Sequence, residues 1–72
     1  MTTKPGRELA HLTYIKLIDN NIGCRPDGWQ ENLYLIATAA DRALAAGEIT
    51  EAGQVEIRHA LAHATNVLEN QT

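Results

Sequence analysis

The residues best equipped for chemistry lie in "EIRHALAH", positions 56–63. His59 and His63 are four apart, so on a helix they share a face and could chelate one ion. Glu56 and His59 form an E-x-x-H pair, the spacing used in di-iron helical bundles. Such a centre needs a second pair and further inward glutamates, and this chain has neither. A zinc-protease helix needs a glutamate directly after its first histidine, and position 60 is alanine. Both histidines fall opposite the apolar stripe of their helix, so they read as solvated polar surface, paired at most with Glu56. His11 and Cys24 are the other potential ligands, but no spacing joins them to a set, and no metal is assigned.

Nucleophilic catalysis fares no better. The chain contains no serine. Cys24 sits beside Arg25, a neighbour that can lower a thiol's pKa, yet nothing around it resembles an oxyanion site. A three-helix chain this small rarely encloses a substrate cavity, and there is no glycine-rich phosphate loop. No catalytic residue and no cofactor are assigned, and a non-enzymatic protein is expected.

The elements that would position any site follow from pattern and punctuation. Residues 1–6, "MTTKPG", read as a disordered start, and 7–72 as a single helical domain. A first helix is expected over about 7–22, with Tyr14, Ile15, Ile18 and Ile22 inward and Lys16, Asp19 and Asn20 outward. "GCRPDG", 23–28, interrupts it: Gly23 suits a left-handed helix end, and Arg25 before Pro26 must leave helical geometry. Asp27 with Gln30 forms a capping-box pattern that opens a second helix over about 28–46. Gly47 closes that helix. Thr50 caps a third over about 51–69, with Glu51 at the positive end of its dipole. The short link "AAGEIT" makes helices two and three an antiparallel hairpin. The expected class is therefore all-α.

At 72 residues one core yields few kcal/mol, and small chains usually recruit a staple. The single cysteine precludes an intrachain disulfide. With no signal-peptide pattern, a lone thiol fits a reducing cytoplasm. No apolar run approaches a membrane span. The net charge of −3, with six scattered basic residues, disfavours nucleic acid and anionic membrane as partners.

Helix two carries too much apolar surface. Trp29, Leu33, Ile36, Ala40 and Leu44 make its main stripe, and Leu35, Ala39, Ala43 and Ala46 a second beside it. Together they cover roughly 200° of the wheel, against about 100° for an ordinary surface helix. Helix three, with Ile57, Leu61, Ala64 and Leu68, can cover the first stripe. Helix one has surplus of its own at Leu9 and Leu12. A homodimer burying Leu35, Ala39, Ala43, Ala46, Leu9 and Leu12 is expected; the alternative is a closed three-helix monomer with partly exposed alanines. Tyr34 lies on the polar side of helix two with Thr38, Asp41 and Arg42. An exposed tyrosine near an arginine is the composition favoured at binding hot spots, so these four residues are the candidate partner site. An acidic surface would suit a basic target.

A helix-turn-helix DNA-binding regulator is the rival from another class. Its recognition helix would open with Glu51, Gln54 and Glu56, and carboxylates there repel phosphate.

The stretch "PDGWQENLYLIATAADRALAAGEITEAGQVEIRHALAHATNVL", in an acidic, alanine-rich helical chain of this size, resembles the small helical inhibitors that bacteriophages direct at host proteins. It is most similar to the anti-quorum-sensing type of Mu-like Pseudomonas phages. The resemblance rests on size and helix layout. It implies a dimer that binds a LuxR-type transcriptional regulator and stops it gripping DNA, with a pilus-assembly ATPase as a second host target. Similar shapes occur among anti-CRISPR proteins and secretion chaperones or assembly factors. No functional residue is carried over by position.

Overall fold

The computed structural model of the chain describes residues 7–70; the expected disordered start at 1–6 lies outside the described residues. A short 3-10 turn, Arg7–Leu9, leads into α1, His11–Cys24; α2 spans Trp29–Ala45 and α3 spans Glu51–Glu69. The described residues contain no strand.

α3 begins where its cap dictates. Thr50 is extended, and its Oγ1 accepts from the Gly53 amide at 3.0 Å, satisfying a donor that has no partner inside the helix. α2 ends in a Schellman turn: the Glu48 amide donates to the Ala43 carbonyl at 2.8 Å, and the Gly47 amide to Leu44 at 3.0 Å. That turn requires a left-handed residue, and Gly47 supplies φ +75° at no steric cost.

The ends of α1 differ from expectation. Its α-helix starts at His11, because residues 7–10 wind as the tighter turn closed by Ala10 N to Arg7 O at 3.3 Å. There Arg7 Nη2 reaches across to the Ile49 carbonyl at 3.4 Å. At the other end the helix runs through Gly23 to Cys24. Arg25, not Gly23, adopts the left-handed conformation (φ 44°), and its amide donates to Asn21 O. The Asp27–Gln30 capping box does not form. Gly28, also left-handed, is the N-cap of α2, and no side chain caps it. Pro26 O accepts from the Trp29 amide at 3.2 Å instead.

The core joins all three helices. Ile18 of α1, Ile57 and Leu68 of α3, and Ile49 from the link are almost fully buried. Each such side chain contributes about 1.5–3 kcal/mol relative to exposure. From α2, Trp29, Leu33, Ile36 and Ala40 are buried as expected, while Leu44 is only half-buried and Ala43 takes its place. α2 and α3 meet at two well-separated levels. Asp41 lies beside Gln54 and Arg58, and Trp29 and Leu33 share a groove with Leu61 and Thr65.

Two polar contacts fix α1 against its neighbours. His11 is buried, its Nε2 2.6 Å from Glu56 Oε2. Its ring lies so close to α3 that only a glycine fits at 53: a Cβ there would stand 2.9 Å from His11 Cβ and Cγ. Towards α2, buried Asn21 donates through Nδ2 to Leu17 O at 2.9 Å and accepts at Oδ1 from Asn32 Nδ2 at 3.1 Å.

Candidate protein-binding surface

Tyr34 projects from α2 with 70% of its surface exposed. It stands at the edge of an open, mainly apolar groove between α2 and α3. Trp29, Leu33 and Ala37 form one wall; Leu61, Ala62 and Thr65 form the other. Gln30 and Glu69 provide polar groups at the rim.

Of the four residues expected to form the partner site, Tyr34, Thr38 and Asp41 lie within roughly 60° of one another around α2, and Arg42 stands apart. Thr38 Oγ1 donates to the Tyr34 carbonyl at 3.0 Å, so the hydroxyl serves its own helix. Asp41 faces α3, where its carboxylate accepts from Gln54 Nε2 at 2.5 Å and lies 3.7 Å from Arg58 Nη2. Eight residues separate Arg42 from Tyr34, which turns it roughly 80° away around the helix. Arg42 instead stands roughly 20° from Leu35. Tyr34 therefore belongs with the groove, and Arg42 with the other flank of α2.

That other flank is open. Leu35 is 55% exposed, and Ala39 and Ala46 are exposed as well. Ala43 does not join them and corrects the expected interface: at 4% exposure it is part of this chain's own core. It lies only roughly 60° around the helix from Ala40, within the arc that the core covers. Leu17 of α1, 45% exposed, lines a shallow cleft with Leu35 and Ile36. Leu9 and Leu12 are exposed too, but Leu12 stands roughly 140° around α1 from Leu17, on a different flank.

The titratable residues resolve differently from their sequence pattern. Glu56 pairs with His11 across the α1–α3 crossing, rather than with His59 or His63, which are exposed. The carboxylate identifies His11 Nε2 as the hydrogen-bearing nitrogen, while Nδ1 has no hydrogen-bond partner among the described residues. Cys24 is a free, exposed thiol at the end of α1. No cluster of three or more His, Cys, Asp or Glu positioned for a metal ion occurs among the described residues, and no helix among them is long and apolar enough to cross a membrane.

Sequence reasoning missed the burial of His11, although the signal was present: positions 11, 15, 18 and 22 follow helical spacing on one face. It also missed Leu17 as the neighbour of Leu35, and the groove itself, which depends on how far apart two helices stand. No known family model, curated protein or solved structure matches this chain.

Proposed function

We propose that this chain is a non-enzymatic inhibitor that works by occupying the surface of another protein, with Tyr34 as the anchor. In this reading α2 and α3 form an antiparallel hairpin, two copies assemble as a homodimer, and each hairpin presents its groove outward. One observation carries it: a tyrosine 70% exposed beside an apolar groove that its own chain leaves unfilled. A rigid aromatic next to a desolvated cleft, rimmed by polar groups, can supply most of an interface's affinity without chemistry.

The target follows from the resemblance of the sequence to phage-encoded anti-quorum-sensing proteins: a LuxR-type transcriptional regulator, with a pilus-assembly ATPase as a further candidate. The acidic balance of the chain suits a basic DNA-binding domain, through complementarity that speeds encounter more than it tightens binding.

Calorimetric titration of a purified LuxR-type regulator with the wild-type chain and with Tyr34→Ala tests both parts. Wild-type binding, weakened about 30-fold or more by the substitution with an unchanged circular dichroism spectrum, supports the reading. Absence of wild-type binding overturns the target, and equal binding by the variant overturns the anchor.

A further inference from the structure

Four residues of α2 and its C-cap, Ala46, share an arc that the chain itself leaves uncovered. Glu31, Leu35, Ala39, Arg42 and Ala46 are all exposed, and at 100° per residue they fall within roughly 80° of one another. The arc lies on the α1 side, where Leu35 adjoins the cleft that Leu17 also lines. Its order along the axis is informative: a carboxylate at the N-terminal end, apolar side chains in the middle, and a guanidinium towards the C-terminal end. Neither Glu31 nor Arg42 has an ion-pair partner among the described residues.

That order is complementary to itself only when reversed. Two such arcs laid parallel would place Glu31 beside Glu31 and Arg42 beside Arg42. Laid antiparallel about a twofold axis near position 37, Leu35 of each copy meets Ala39 of the other. Glu31 then comes level with Arg42 to within one residue rise, about 1.5 Å. A twofold contact uses the same patch on both subunits, and this patch meets that condition in shape and in charge. Small Ala39 opposite large Leu35 also lets the two backbones approach without a void.

We infer that a second copy of this chain docks on this flank, α2 antiparallel to α2, with Leu35 and Leu17 of both copies in the seam and Glu31 of each opposite Arg42 of the other. The inference rests on the homodimer reading above and adds its register and orientation. Tyr34 stands roughly 100° around α2 from the middle of the arc, so this dimer keeps both grooves open and offers two target sites.

Sedimentation equilibrium of the full chain tests it, with four variants: Glu31→Arg, Arg42→Glu, the double exchange, and Leu35→Ala. Each single charge reversal creates two like-charge pairs in the twofold interface and is expected to raise the dimer dissociation constant about tenfold. The double exchange rebuilds both pairs and is expected to return to within about threefold of wild type. Leu35→Ala weakens the dimer while circular dichroism stays unchanged. A monomeric wild type at the highest soluble concentration overturns the inference. So does a dimer indifferent to the single reversals, or one the double exchange fails to restore; those results mean another surface or another occupant. Tyr34→Ala separates this proposal from the functional one, since it should weaken target binding about 30-fold or more and leave the dimer intact.

Discussion

His11 of α1 lies directly on Gly53 of α3, with no space between them for a methyl group. The ring is held there by Glu56, three residues further along α3, through a 2.6 Å contact at Nε2. The close approach of the two helices thus depends on the smallest residue in one and a buried polar ring in the other. By intrinsic propensity alone, Gly53→Ala in the first turn of α3 should be stabilising, by at most about 1 kcal/mol. The contact reverses that sign. The expected outcome is a loss of about 1–3 kcal/mol in urea unfolding, as a well-packed contact is forced apart. A gain in stability would show that His11 can move aside freely.

The two helix starts make a matched pair of tests. Thr50 caps α3 through its side chain, so Thr50→Ala is expected to cost about 1 kcal/mol. Asp27 precedes α2 in a pattern that looks equally good, yet α2 has no side-chain cap. Asp27→Ala should therefore stay within about 0.5 kcal/mol of wild type. Thermal melts of the two variants read the contrast. Equal losses would mean that Asp27 caps α2 in solution.

Asn21 and Asn32 join α1 to α2 through a single hydrogen bond, and Asn21 is buried. Removing Asn32 strips Asn21 Oδ1 of its donor, so Asn32→Ala is expected to cost about 1–2 kcal/mol. Replacing both residues with leucine removes both polar groups and should be milder than the sum of the two single leucine substitutions. A double-mutant cycle in urea measures the difference. Strict additivity would mean that the bond couples nothing.

Local signals made some of this fold readable and hid the rest. α3 has its expected limits because Thr50 supplies a strong start and the spacing of Ile57, Ala64 and Leu68 is unbroken. The buried stripe of α2 followed from the same periodicity, and Gly47 marked its end. The turn at 23–28 misled, because several residues there can adopt left-handed geometry, and the chain uses Arg25 and Gly28 rather than Gly23. His11 has the chemistry of a metal ligand in the sequence but is a core residue in the fold, buried because Glu56 supplies its hydrogen-bond partner. Gly53, the Asn21–Asn32 bond and the Tyr34 groove depend on distances between helices, which a pattern along one chain does not encode. The division of the α2 surface is partly legible: Leu35 and Ala39 are surplus apolar surface in the sequence and exposed in the fold, while Ala43, between the two stripes on the wheel, falls to the core.

α2 carries apolar surface that its own chain leaves open, and in the proposed dimer a second copy covers it. Methyl NMR of the Leu35, Ala39 and Ala43 side chains with a soluble paramagnetic agent, across a dilution series, measures this directly. Relaxation at Leu35 and Ala39 is expected to be strong in dilute solution and to fall as concentration rises, while Ala43 stays shielded throughout. Methyl groups at 35 and 39 that stay equally accessible at the highest concentration, or that are shielded where sedimentation shows a monomer, would contradict it.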